Sequence, residues 1–349
     1  MLYRKPDFRA FMLHGISYSA KKRLRAFFAQ ERSIMKQGVI LIGEPMGLLI
    51  AQEEGPLDSV SGFSLAVAGA EFNVAVGLSR LGNKAAYMTK LGLDPFGRRI
   101  FRAIERNQIG TELVSWSDTR PTGFMMKGRV SEGDPSIFYF RKGSAASTLS
   151  VEDVECLPFD NYGFLHLTGI LPPLSDSTRE ASFYLMDKAR EHGLTISFDP
   201  NLRPQLWPDQ ETMVQVINAL AARADYVFPG TAEGKLLMGS SDPEEINRFY
   251  LELGVKTVIT KCGSKGAYVS TPEGSFWSEG FRVEKVVDTV GAGDGFAAGT
   301  IHGILEGLSL PEAVRIGNAV GAMQVMNRGD NEGLPTPEQL QAFLETHTH

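Results

Sequence analysis

Short apolar runs recur along the chain, separated by longer stretches whose apolar positions fall three and four apart. Gly38–Ile42 is apolar throughout, as a strand buried on both faces requires. The runs over 84–91, 164–167, 195–198, 226–229 and 257–260 read the same way. Between them the spacing predicts helices over 94–108, 177–192, 210–223, 231–238, 243–253, 311–327 and 337–345. A further helix carries Val74, Leu78 and Leu81 on one face and stops at Gly82. Strands over 267–270 and 275–278 follow one another directly. This alternation predicts an α/β fold, a mostly parallel central sheet with helices on both faces and ligands at the carboxyl ends of the strands.

Two stretches break the alternation. Segments 48–66 and 121–143 hold strand-like runs without helices, among them 123–130 and 136–141 joined by a turn over 131–135. They read as a small β-sheet lid on a domain spanning 36–345. The first 35 residues differ again. Arg4, Lys5, Arg9, Lys21, Lys22, Arg23, Arg25 and Arg32 stand there against Asp7 and Glu31, a local excess of positive charge in a chain of net −6. Residues 21–35 could form a basic helix, a targeting or docking arm. The preferred reading is an extension outside the fold, because the first buried strand starts just after Met35.

Composition adds bounds. The 349 residues are 43% hydrophobic and 22% charged, ordinary for a globular protein. The acidic balance argues against a nucleic-acid or membrane-surface binder. Two cysteines, Cys156 and Cys262, form neither a metal-ligand spacing nor a disulfide scaffold, and a reduced cytoplasmic setting is expected. No apolar run is long enough to span a bilayer.

The chemistry concentrates in Val-Asp-Thr-Val-Gly-Ala-Gly-Asp-Gly-Phe-Ala-Ala-Gly, residues 287–299. A strand is expected over 281–287 and a helix from about Ala292. A Gly-rich turn opening a helix leaves amide N–H groups unpaired. With the positive end of the helix dipole, these suit an anion such as phosphate. Asp294 does not fit that task alone, because a carboxylate repels phosphate. It suits a proton acceptor beside a nucleophile, with a helix N-cap as the alternative. Glu44, Asn201, Arg203, Glu233 and Lys261 also fall just after expected strands. Asn73, in the first turns of its helix, either points into a cleft or braces the turn. Phe296 stands where a dinucleotide fingerprint needs its third glycine, and no P-loop, H-E-x-x-H or G-x-S-x-G motif occurs.

Two signatures are Gly69-Ala70-x-x-Asn73-Val74-Ala75 with Arg80-Leu81-Gly82, and Asp288-Thr289-Val290-Gly291-Ala292-Gly293-Asp294. Together they resemble the ribokinase (PfkB-type) family of carbohydrate kinases, over about residues 38–335. Other runs are similar to the branch of that family acting on 2-keto-3-deoxygluconate. They are Gly43-Glu44-Pro45-Met46, Gly69-Ala70-Glu71, the segment 139–147, Asp199-Pro200-Asn201-Leu202-Arg203 and Arg328-Gly329-Asp330. The resemblance implies ATP- and Mg²⁺-dependent phosphorylation of the terminal C6 hydroxyl of 2-keto-3-deoxy-D-gluconate. Asp294 is then the general base, and the backbone of Gly291, Ala292 and Gly293 the anion hole. It implies that Gly69, Asn73, Tyr139, Arg141, Arg203 and Asp294 hold the sugar, with Arg141 suited to a carboxylate. It places Lys261, Gly263, Gly266, Gly291, Gly293 and Asn318 around ATP, Glu233 as an outer partner of Mg²⁺, and Asp288 in a loop for a monovalent cation such as K⁺. It also implies a homo-oligomer paired through the lid. Three positions depart from the pattern. Gly230 stands in place of an asparagine, Met125 in place of a substrate-facing tyrosine, and Glu44 where aspartate is commoner. The alternatives are the same reaction on fructose or another sugar or keto acid, and a non-catalytic sugar sensor.

Overall fold

The computed structural model describes residues 38–130 and 135–347. The basic helix expected over 21–35 and most of the turn over 131–135 lie outside the described residues. In chain order the strands are β1 (Gly38–Ile42), β2 (Met46–Ala51), β3 (Phe63–Ala68), β4 (Ala85–Gly92), β5 (Val114–Ser117), β6 (Phe124–Lys127), β7 (Ile137–Phe140), β8 (Tyr162–Thr168), β9 (Thr195–Asp199), β10 (Tyr226–Val227), β11 (Thr257–Lys261), β12 (Gly266–Thr271) and β13 (Gly274–Glu279). The helices are α1 (Ala70–Arg80), α2 (Pro95–Arg106), α3 (Val151–Glu155), α4 (Asp176–Glu191), α5 (Gln210–Ala221), α6 (Thr231–Met238), α7 (Pro243–Glu252), α8 (Ala292–Leu305), α9 (Leu310–Val325) and α10 (Pro337–Thr346).

The main sheet has nine strands in the order β13-β12-β11-β10-β9-β8-β1-β4-β5. Pairing is parallel from β11 to β5 and antiparallel at β12 and β13. Strand β1 shows why helices cover both faces. Side chains alternate along a strand, so Val39 and Leu41 enter one core with Phe296 and Ile301 of α8 and Val320 of α9. Ile40 and Ile42 enter the other, with Leu185 of α4 and Ile217 of α5. Among the described residues no helix is long and apolar enough to cross a membrane.

The second sheet has the order β3-β2-β6-β7. Its inner face carries Met46, Leu48, Ala68 and Met125, packed together. On its outer face Phe124 stacks on Phe96 of α2 and on Phe140, with ring centroids 5.1 and 4.5 Å apart. Strand β2 begins four residues after β1 ends, so the lid is tied directly to the carboxyl edge of the main sheet.

The strand expected over 281–287 is absent. Strand β13 is already the sheet edge, so the chain that leaves it has no partner strand. It instead crosses toward α9, where the Val287 amide donates to the Val325 carbonyl at 2.8 Å. The lid run over 123–130 pairs only from Phe124 to Lys127. Strand β5 and the short helix α3 were too brief to leave a periodic signal.

Helices α8 and α9 approach closely because glycines line their contact. A Cβ on Gly303 would lie 2.5 Å from the Ala313 Cα, and one on Gly299 would lie 2.9 Å from the Ile316 carbonyl. This packing sets where the N-terminus of α8 emerges. Gly303→Ala gains helix propensity but must push backbone aside, so the overpacking cost should win. The expected result is a net loss of about 1–3 kcal/mol in urea unfolding. An unchanged midpoint would show that the two helices separate easily.

Candidate active site

The site is built around the first turn of α8. Gly291 is its N-cap, with φ 77°. A Cβ there would fall 2.1 Å from the Asp330 carbonyl, so both the left-handed backbone and the close approach demand glycine. The amides of Gly291, Gly293 and Asp294 have no hydrogen-bond partner among the described residues, and the Ala292 amide reaches Thr289 O only at 3.4 Å. These are the free donors of a helix N-terminus, gathered at one point.

Asp294 stands among them but does not cap the helix. Its Oδ2 accepts from Asn73 Nδ2 at 2.8 Å and its Oδ1 from Asn201 Nδ2 at 3.4 Å. The N-cap alternative is therefore wrong, because both carboxylate oxygens turn toward side chains from other elements. Asn73 is held in turn by Asn331, whose Nδ2 donates to Asn73 Oδ1 at 2.9 Å. Burial raises the Asp294 carboxyl above its usual range. The Asn73 hydrogen bond and the charges of Lys261 and Arg203 oppose the rise.

The facing wall comes from the ends of β9 and β11. Asn201 sits at φ 39°, a conformation asparagine tolerates, and its amide donates to Asp199 Oδ1 at 3.1 Å. Lys261 Nζ lies 2.5 Å from Asp199 Oδ2. Burial disfavours its charge, but Asp199, Glu233 and Asp294 outweigh this and hold the ammonium protonated. Glu233 accepts from the Gly230 amide at 2.6 Å and the Leu202 amide at 2.8 Å, so it pins the Asn201–Arg203 loop to α6.

Two cavities meet at this turn. One, of about 720 Å³, is lined by Gly69, Asn73, Tyr139, Arg141, Arg203, Glu233, Gly291 and Asp294. The other, of about 330 Å³, is lined by Gly263, Gly266, Phe281, Val325 and Asn318. Lys261, Thr289 and Gly293 line both, and Ala292 lines the second. Asn318 lies in the wall, with its amide nitrogen spent on Ser278 and the Glu279 carbonyl. The structure thus brings the sequence-predicted residues to the two cavities, apart from Asp288, which lines neither.

On the lid side, Arg141 is clamped by buried Glu44. Its Nε donates to Glu44 Oε2 at 2.6 Å, and the Ser144 hydroxyl donates to the other oxygen. The Tyr139 ring centroid lies 5.9 Å from the Arg141 guanidinium carbon. Met125 pairs with Tyr139 across β6 and β7 and also lines the larger cavity.

Three residues in or beside the site carried no sequence signal of their own. Glu71 and Asp330 line the larger cavity, each with one buried oxygen lacking a partner. Burial pushes both carboxyls up to about 7. Lys127 pairs with Asp288 at 3.2 Å. Glu71 and Asp330 do lie within the family-like motifs, but only the fold shows them facing inward.

Lid, anion-attracting turn and paired cavities make up the architecture of a small-molecule kinase. Residues 36–337 match the pfkB family of carbohydrate kinases, and the chain belongs to that family. A 2-dehydro-3-deoxygluconokinase of Bacillus subtilis (strain 168) is 49% identical over 311 residues, covering 89% of this chain and 96% of its own. A PfkB protein from Polaromonas sp. JS666 superposes with a TM-score of 0.80 at 44% identity, over 88% of this chain and 99% of that one. A structure described as a ribokinase II from E. coli, in complex with ATP and Mg²⁺, has a TM-score of 0.82 at 26% identity, over 89% and 100%.

The Glu71 carboxyl gives a stability prediction. Its folded value of about 7 exceeds the ordinary 4.5, so the folded chain binds the proton more tightly than the unfolded chain. Stability attributable to Glu71 should therefore fall as pH rises from about 4.5 to about 7 and stay low above. Glu71→Gln should flatten that fall and stabilise the protein at pH 8 by about 1–3 kcal/mol in denaturant titrations. An unchanged pH profile would mean that Glu71 is ionised when folded.

Proposed function

We propose that this kinase transfers the γ-phosphoryl group of ATP to the C6 hydroxyl of 2-keto-3-deoxy-D-gluconate. The observation that carries the reading is the meeting of the two cavities at a turn that offers free amides and a carboxylate together. The sugar occupies the larger cavity, and the nucleotide the smaller, more apolar one. Asp294 takes the proton as the hydroxyl oxygen attacks the γ-phosphorus, and the bond to the β-phosphate oxygen breaks to release ADP. The amides of Gly291, Ala292 and Gly293, with Lys261 and Arg203, stabilise the charge that moves through the phosphoryl group. Gly263, Gly266 and Asn318 shape the nucleotide side.

Among the described residues no group of three or more potential ligands could cage a metal. The donor set therefore fits Mg²⁺ held by nucleotide phosphates and water, with Glu233 beyond them. Mg²⁺ neutralises phosphate charge when bound with the nucleotide.

The acid sugar is favoured by charge. Arg141, Arg203 and Lys261 face the larger cavity; Glu44 and Asp199 balance two of them, and Arg203 has no carboxylate within ion-pair distance among the described residues. Glu71 and Asp330, pushed up to about 7 by burial, are partly protonated near neutrality, which weakens their repulsion of a carboxylate and suits them to hydroxyl groups. Gly69, Asn73 and Tyr139 complete the sugar side. The B. subtilis relative's name supports the same substrate. The outer lid face leaves Leu65, Phe138 and Phe140 at 47%, 63% and 46% exposure, and suits pairing with a second copy. Use of ATP fits a cytoplasmic enzyme.

A coupled assay over sugars and keto acids tests the substrate. 2-Keto-3-deoxygluconate should exceed fructose in kcat/KM by about 100-fold or more, and Arg141→Ala should remove most of that preference. A higher kcat/KM for fructose would overturn the assignment. Asp294→Asn should lower kcat by about 10³-fold, and the wild-type rate should fall with pH as Asp294 protonates above the ordinary carboxylate range.

A further inference from the structure

The reaction as described makes no use of Lys127. This residue ends lid strand β6, and its ammonium lies 3.2 Å from Asp288 Oδ2, with side chains 9% and 18% exposed. Asp288 also shapes the turn behind the anion-attracting amides. Its Oδ1 accepts from the Val290 amide at 3.1 Å, and the Gly329 amide lies 3.5 Å from Oδ2. One carboxylate therefore ties together the lid, the turn leading to Gly291 and the loop that carries Asp330.

Family resemblance places a monovalent cation at Asp288. The donor set here does not fit one well. The carboxylate oxygen such an ion would use is already paired with a fixed ammonium, and that single positive charge balances the single negative charge of Asp288. A second cation at that oxygen would be repelled by the ammonium. The Lys127 charge also reaches Asp330, where it opposes the effect of burial. Asp288 and Asp330 thus already face a built-in cation.

We propose that Lys127 stands in for the monovalent cation and that this kinase needs none. Lys127 is a positioning residue. It acts through Asp288 to fix the backbone that presents the Gly291, Ala292 and Gly293 amides, and touches neither substrate. This inference rests on the kinase reading.

The test is ADP affinity by titration calorimetry, together with kcat, for wild type and Lys127→Met. Methionine keeps a similar apolar stem and removes the charge. Each protein is measured in about 100 mM K⁺, NH₄⁺ or tetramethylammonium chloride, which keeps ionic strength equal. Wild type should vary less than about twofold among the three salts, since its cation is covalently attached. Lys127→Met should lose about tenfold or more in tetramethylammonium and regain most of it in K⁺ or NH₄⁺, which a merely structural lysine would not allow. Strong K⁺ activation of wild type would overturn the proposal. So would a Lys127→Met defect that no small cation relieves, or no defect at all. If the variant does not fold, the wild-type salt series alone decides. A wild type that binds no ADP in any salt would refute the kinase reading instead.

Discussion

The structure depends on one electrostatic conflict placed at the start of α8. The amides there, with the helix dipole, attract a phosphate, while Asp294 in the same turn repels one. The conflict is resolved by direction. Asn73 and Asn201 hold the carboxylate by hydrogen bonds, and the open amides of Gly291 and Gly293 belong to the backbone beside it. On the proposed reading the two functions share one turn because they address different atoms of two different molecules.

Holding that turn engages much of the chain. Close glycine contacts between α8 and α9 fix where the helix emerges. Asn331 orients Asn73, Glu233 pins the Asn201–Arg203 loop, and Asp288 ties the turn to the lid. These supports come from strands and helices far apart in sequence, so the site cannot form before the sheet has assembled. The buried carboxyls carry a cost in stability at neutral pH, offset by the rest of the fold.

Much of the architecture was legible in the sequence. Runs such as Gly38–Ile42 are apolar at every position because both faces are covered, and the helices between them keep their spacing. The lid was visible as strands without helices. The expected strand over 281–287 failed because Val283, Val286 and Val287 read as β-formers, while the sheet had no free neighbour to pair with them. Asp294 stood out because a carboxylate is anomalous in a phosphate-attracting turn. Glu71, Asp330 and Lys127 did not, because a charged residue becomes informative only when the fold buries it. The clamp of Glu44 on Arg141 joins residues 97 positions apart and has no local signature.

The central claim is that Asp294 serves the sugar hydroxyl while the neighbouring amides serve the phosphate. A crystal structure with 2-keto-3-deoxygluconate and a non-hydrolysable ATP analogue tests it most directly. The account predicts the C6 oxygen about 3 Å from an Asp294 oxygen, in line with a γ-phosphate resting on the Gly291–Gly293 amides. A γ-phosphate held elsewhere, or a sugar whose C6 hydroxyl points away from Asp294, would contradict it.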